Sequence, residues 1–533
     1  MDDSKLRSIE ILNVSESSMS MNEFDLQVPT YLGLKGERLN FAITSICSVG
    51  FLLFGYDQGL MGSLLTQPGF CETFPIIDPG TNATNSILQG LTVASYGIGC
   101  VVSSLSTIYL GDKLGRVKLM FLGVIIIIIG GILQSTAVES ITFLIIARFI
   151  TGLGNGLNTA TVPLYQSETS KAHNRGMLIC YEGGFIALGV CFGYWIDFAF
   201  YFSKNQTSWR IPIAFQCIFP LMMCPYILKL PESPRLLMRR GNFHEARRVF
   251  AALYQVPIND QIVDEQIRDI EEALEFENKT SGNSFFSQGE TKNFQRTCLA
   301  LFCQFMQQIC GIHLTTYYAG TFLETHLGLS PLISRVISGF NGTEYFFALV
   351  ATILLVEKIG RRPLFIGGVL GQAAVMASIS VTMHLTNYEN SLIKAYALAF
   401  LLFIFNTCYG LSLLSLCWLY PPEISPLNCR AGITGLSTAV NWLTSAMVAV
   451  SVPIMFERFQ YYYTFAIFAA INFLMIPVLY VLYPETKGRS LEEMDIIFAM
   501  TSRWQPWEAV SIAGALPKIH AGDFDDIESQ LSE

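Results

Sequence analysis

The chain has 533 residues, of which 51% are hydrophobic and only 14% charged, where a soluble domain carries roughly a quarter of its residues as charge. That deficit excludes an ordinary soluble enzyme and points to lipid as the solvent. The formal charge of −9 comes mainly from acids in the central loop and the tails, where they keep exposed chain solvated, so no nucleic-acid or other charged partner follows from it.

In chain order, residues 1–40 are polar, carry Asp2, Asp3, Glu10, Glu16 and Glu23, and lack the short apolar core of a signal peptide. The first membrane span is therefore expected to direct insertion. A helix needs about 20 mostly apolar residues to cross the hydrocarbon core, because every backbone polar group must be satisfied within it. Such runs predict spans at 41–64, 88–110, 119–137, 141–163, 177–200, 211–230, 297–322, 332–356, 363–385, 394–419, 431–455 and 461–483. These twelve make an all-α membrane protein. The polar stretch 231–296 splits them six and six, and its segments 243–254 and 261–276 read as short amphipathic helices. The expected organisation is a tail (1–40), a six-helix bundle (41–230), a linker (231–296), a second bundle (297–483) and a tail (484–533).

Lys and Arg in short connections fix the orientation. The 65–87 and 323–331 connections have none, whereas Lys113, Arg116 and Lys118, and later Lys358, Arg361 and Arg362, crowd the connections that follow. Both termini and the linker are expected on the cytoplasmic side, with the sequons at Asn82 and Asn205 outside. Most of the thirteen cysteines lie in apolar runs, where a thiol behaves as a small hydrophobe. No disulfide framework, metal-ligand spacing or cofactor motif emerges, and no nucleophile-base constellation supports catalysis.

Charged patterns recur between the halves. Asp112-Lys113-Leu114-Gly115-Arg116 returns 245 residues later as Glu357-Lys358-Ile359-Gly360-Arg361; Glu168 with Arg175 returns as Glu423 with Arg430; Pro231-Glu232 returns as Pro484-Glu485. A duplicated six-helix unit places a substrate site near the midplane between two bundles that rock about it. The recurring charges fall at helix ends on one side, where acid-to-Arg pairs, with Arg235 beside Glu232, are candidates for latching the bundles in one state.

Gly55-Tyr56-Asp57-Gln58-Gly59, Arg148-Phe149-Ile150-Thr151-Gly152, Pro231-Glu232-Ser233-Pro234-Arg235, Gln307-Gln308 with Tyr317-Tyr318, and Pro484-Glu485-Thr486-Lys487-Gly488 together resemble the sugar porter branch of the major facilitator superfamily, over roughly residues 40–500. Tyr194-Trp195-Ile196-Asp197-Phe198 and Tyr420-Pro421-Pro422-Glu423-Ile424 look most like the fungal glycerol-proton symporters within it. The resemblance implies the major facilitator fold, a monomeric plasma-membrane carrier, and a small polyol or sugar moved with a proton. It implies that Asp57 loads and releases the proton while Arg148 tunes it. It also implies that Gln307, Gln308, His313, Tyr317, Trp418, Asn441 and Trp442 face the solute, as amides that pair with hydroxyls and aromatic faces that cover C–H bonds.

Three departures stand out. Gly183, beside Glu182, occupies a position where many sugar porters have a substrate-binding Gln; His313 stands where an Asn is usual; and Glu344 lies in the middle of the eighth span. An unpaired carboxylate at that depth is costly, so His313 and Glu344 are expected to pair across one cavity. The leading reading is a glycerol-type proton symporter. A hexose or pentose permease is the alternative within transport, and a non-transporting sugar sensor the alternative outside it; the 50 residues after the last span are short for a sensor's tail.

Overall fold

The computed structural model describes residues 28–516, apart from 78–83, 139, 172–173, 204, 281–284, 288, 290–291, 386–391 and 503–504. Asn82 lies outside the described residues, whereas Asn205 is exposed. Among the described residues, twelve helices are long and apolar enough to cross a membrane: α1 Gly36–Gly62, α2 Ile87–Leu114, α3 Arg116–Ser135, α4 Ile141–Thr169, α5 Arg175–Phe200, α6 Thr207–Ile227, α7 Asn293–Thr315, α8 Pro331–Ile359, α9 Arg361–Leu385, α10 Leu392–Ile424, α11 Arg430–Arg458 and α12 Tyr461–Leu482. An even number of crossings puts the α1 start, the α6–α7 linker and the α12 exit at one end of the bundle, called the near end below; the opposite end is the far end.

Lipid tails are as apolar as Leu, so helices in a bilayer associate through close packing, and small residues make it possible. The α1–α5 seam shows this. A Cβ on Gly55 would come within 1.8 Å of the Ile186 carbonyl oxygen, and one on Gly59 within 2.4 Å of that of Val190. The two halves meet mainly where α2 packs on α11 and α5 on α8.

Three helices are interrupted: α6 between Thr207–Phe215 and Ile218–Ile227, and α7 and α10 near the centre. In α7 the helix Asn293–Ile309 stops before Gly311, whose φ of 100° only glycine adopts freely, and resumes for one turn at Ile312–Thr315. The carbonyl freed at Cys310 is taken up by Asn472 Nδ2 at 2.8 Å. In α10, Leu392–Gly410 gives way to Leu413–Ile424 through Leu411 and Ser412. Non-helical backbone at this depth is tolerated where it is buried in protein or lines a cavity.

Outside the bundle, Pro234–Arg239, Phe243–Tyr254 and Gln261–Thr280 form the linker helices. Residues after α12 also fold. Leu491–Ala499 opens on a capping box of Ser490 and Glu493, buries Leu491, Met494, Ile497 and Phe498, and is followed by Glu508–Ala515. The apolar spacing of Leu491, Met494 and Phe498 carried that helix, which the reading of 484–533 as a tail overlooked.

Candidate functional site

Asp57 on α1 and Arg148 on α4 are each 1% exposed by side chain. The guanidinium grips both carboxylate oxygens, Nη1 to Oδ1 and Nη2 to Oδ2 at 3.1 Å each. Its Nε donates to the Thr92 carbonyl at 2.9 Å, and the Tyr96 ring lies 5.4 Å below it. Three of its donors are thus aimed at protein oxygens, a planar fork that a Lys could not reproduce. Next to Asp57, Gln58 pairs with the hydroxyl of Tyr317 on α7. The proton-site candidates and a solute-site candidate are thus joined through one side chain, which the sequence reading did not single out.

The amides converge as expected, but chiefly on one another. Asn441 Nδ2 on α11 donates to Gln304 Oε1 at 2.7 Å and Gln307 Oε1 at 2.5 Å, and its Oδ1 accepts from Gln308 Nε2 at 3.1 Å. Gln307 Nε2 donates to the Leu413 and Leu414 carbonyls at 3.1 and 2.9 Å, and Gln304 Nε2 to that of Cys417 at 2.9 Å, all on the lower piece of α10. Gln307 therefore spends its polar atoms tying α7 to α10 and α11, and Gln304, which lies one turn earlier, was missed although its i, i+3 spacing to Gln307 puts both on one face. Gln308 keeps Oε1 unpartnered, as Trp418 keeps Nε1 and His313 keeps Nδ1. Trp418 meets the rings of Phe51 and Phe54 at 5.2 and 6.3 Å. Trp442 packs on Phe54 at 4.6 Å and donates from Nε1 to Thr159 Oγ1 on α4 at 3.1 Å, across the two halves.

The expected pairing of His313 with Glu344 does not occur. His313 is bonded through Nε2 to Ser445 Oγ on α11 at 2.9 Å and packs against Tyr317 at 5.0 Å between ring centroids. Glu344 instead faces α10, where Thr407 Oγ1 donates to its Oε1 at 2.5 Å, and it is partly exposed. The physical reason is helical phase: Tyr345 and Asn341 are the buried α8 positions, 1% and 3% exposed, and Glu344 lies off that face.

At the near end the recurring charges form two matching clusters. Arg116 reaches Glu168 at 3.2 Å and Asp112 at 3.1 Å, while Arg361 reaches Glu423 at 3.1 Å and Glu357 at 2.9 Å. Glu232 Oε1 accepts from the Arg116 backbone N–H at 3.0 Å and Glu485 Oε1 from that of Arg361 at 2.9 Å. Burial pushes the Glu232 carboxyl up, opposed by the backbone N–H groups of Ser233 and Arg116. Glu168 and Glu423 thus pair with the Arg at the start of the preceding helix. Arg430 donates to the Ser425 carbonyl at 3.0 Å and Arg235 to that of Glu168 at 3.0 Å. Between the halves, Arg430 acts electrostatically on Glu168, and Gly176 at the start of α5 abuts the Arg361 and Glu357 side chains so closely that a Cβ would lie 2.2 Å from either.

The far end is closed too, by a residue the sequence reading passed over. Arg335 on α8 donates from Nη2 to Thr66 O and Oγ1 at 3.1 Å each, pairs with Glu324 at 3.3 Å, and stacks on Tyr201 at 4.4 Å. An arginine inside a predicted span satisfies the same rarity rule that singled out Asp57. With all seven candidate solute residues at most 3% exposed, the centre is shut from both ends, which is an occluded arrangement.

A family model described as "Sugar (and other) transporter" matches residues 43–498. "Sugar transporter STL1" of Saccharomyces cerevisiae is 39% identical over 513 residues, covering 94% of this chain and 88% of that protein. "Major facilitator superfamily transporter mfsA" of Aspergillus fumigatus is 34% identical, covering 95% and 93%. Among solved structures, the proton:xylose symporter XylE of E. coli superposes with a TM-score of 0.76 at 24% identity, covering 87% of this chain and 100% of that one.

Proposed function

Because the chain belongs to the sugar transporter family of the major facilitator superfamily, as a multi-pass membrane transporter and not an enzyme, we propose that it is a plasma-membrane symporter that carries a small polyol, glycerol foremost, inward with a proton. The near end is then the cytoplasmic one. The observation that carries this reading is the buried Asp57–Arg148 pair with its link through Gln58 to Tyr317 across the two halves.

An arginine beside a carboxylate favours the charged form and burial favours the acid, so separating the two side chains makes Asp57 take up a proton. A motion that parts α1 from α7, or α1 from α4, thereby ties proton loading to the state of the solute site. Alternating access follows when the near-end clusters and the Arg335 contacts open in turn.

The choice of a small solute rests on what the centre leaves free. Gln304, Gln307 and Asn441 satisfy one another, and the long amide that position 183 would offer is absent because Gly183 packs against Ser415, whose Oγ would sit 2.2 Å from a Cβ there. Gln308 Oε1, His313 Nδ1 and Trp418 Nε1 remain without partners, and buried polar atoms demand them. A small polyol offers hydroxyls to such atoms, and the amides that a larger sugar would use are taken up within the protein.

Uptake of radiolabelled glycerol, glucose and xylose in a transport-deficient yeast, with and without a protonophore, tests the reading. Glycerol should accumulate and the protonophore should collapse that accumulation. Accumulation of glucose or xylose in preference contradicts the polyol assignment, protonophore-insensitive equilibration contradicts symport, and absence of any uptake favours the sensor.

A further inference from the structure

Two carboxylates besides Asp57 lie deep in the bundle, both on α5. Glu182 is 1% exposed and Asp197 0%, and none of their four oxygens has a hydrogen-bond partner. Asp57, by contrast, has both oxygens on the Arg148 guanidinium.

Their placement is ordered. α1 and α5 run parallel with Gly55 against Ile186 and Gly59 against Val190, which sets Asp57 level with the stretch of α5 between those contacts. Glu182 then lies toward the near end and Asp197 toward the far end, counted at ~1.5 Å of rise per residue. At that rise the separations are about 9 Å for Glu182 and about 14 Å for Asp197, both beyond a hydrogen bond, so the three acids are distinct stations along one helix seam.

Their surroundings are apolar or neutral. Cys47 on α1 is the titratable group that senses Glu182, and among the described residues no charged group acts on it from α4, α8 or α10. Asp197 faces Tyr56 on α1 and Tyr194 on α5. Among the described residues Arg335 on α8 is the cation acting on it; that guanidinium spends its Nη donors on Thr66, Glu324 and the Pro331 carbonyl, and its Nε, also without a partner, makes no hydrogen bond to Asp197. Tyr56 senses both Asp197 and Asp57, so it stands between the far and middle stations. An ionised carboxylate buried without donors is far more costly than a neutral acid, and such a group keeps its proton.

Resting on the symport reading above, we propose that Glu182 and Asp197 are proton-binding sites that flank the Asp57–Arg148 pair, each holding one proton in the occluded state while the pair remains salt-bridged. Each exchanges that proton with the water on its own side when that end of the bundle opens: Asp197 with the far side, Glu182 with the near side. Neither acid then needs a solute contact, which separates this role from that of Gln308.

The direct test is the infrared carbonyl stretch of protonated carboxylic acids in the protein reconstituted into lipid nanodiscs at neutral pH. Glu182→Gln and Asp197→Asn, both close in size to the native residue, should each remove one protonated-carboxyl band, and Asp57→Asn none. If neither α5 variant removes a band, the assignment is wrong. Proton flux per solute, read with a pH dye in liposomes, then tests their use: both variants should lower that ratio relative to wild type, and an unchanged ratio, or a Glu182 variant that raises only the half-saturation concentration, refutes the coupling role. If wild type moves solute with no proton at all, the symport reading fails, while the infrared bands still decide whether the two sites hold protons.

Discussion

Replacing Asn441 with Ala removes the node of the amide cluster and leaves three buried groups without partners: Gln304 Oε1, Gln307 Oε1 and Gln308 Nε2. A stranded buried polar group costs about 1–3 kcal/mol, so three give about 3–9 kcal/mol if the space stays dry, and about 3 kcal/mol if water enters the volume the amide vacates. Part of that falls on stability and part on the solute, because Asn441 holds the Gln308 amide with Oε1 free to accept. A half-saturation concentration raised about tenfold corresponds to about 1.4 kcal/mol. Counterflow in liposomes measures it alongside the midpoint of thermal unfolding in detergent, and Gln308→Ala with the double variant completes a cycle. Since the two amides act as one unit, the double variant should lose less than the sum of the singles. A half-saturation concentration within twofold of wild type, with unfolding lowered, would mean that the cluster only ties α7 to α11.

Three other substitutions probe the remaining parts. Asp57→Asn strands a buried guanidinium at a cost of about 3–5 kcal/mol, and should abolish concentrative uptake while solute exchange continues; a variant that still concentrates solute makes Asp57 structural. Arg335→Ala cuts the bonds to Thr66 and the stack on Tyr201, and should raise the labelling rate of a cysteine placed at Thr66 at least severalfold by opening the far end more often; an unchanged rate refutes the latch. Gly183→Gln drives a side chain into Ser415, and should lower transport more than Gly183→Ala combined with Ser415→Gly does; equal losses would show that the close approach of α5 and α10 is not limiting.

How much was readable in advance follows from the range of each signal. Twelve crossings are written locally, because each must be apolar over its own length, and the duplicated near-end charges announce themselves by repeating. Partners across the fold are not local. Glu168 meets Arg116, 52 residues away, since α3 begins where α4 ends and the sequence carries no measure of that proximity. The His313–Glu344 pairing failed because the face on which Glu344 lies depends on the α8 phase, which the polar and small residues Ser334, Ser338, Asn341 and Gly342 on the buried face mark and which the expectation did not use. Gln304 and Arg335 were within reach of the rules already applied to Gln307 and Asp57. The break in α10 is marked by Gly410 alone, too weak a signal inside so long an apolar run to be read as a break.

Obligatory movement of a proton with the solute is the central claim, and purified protein in liposomes tests it without any other carrier present. An inward glycerol gradient, with no pH difference imposed, should acidify the lumen as the solute enters, and Asp57→Asn should remove the acidification while glycerol still crosses through the protein. Entry of glycerol through the wild-type protein with the luminal pH unchanged would contradict the account.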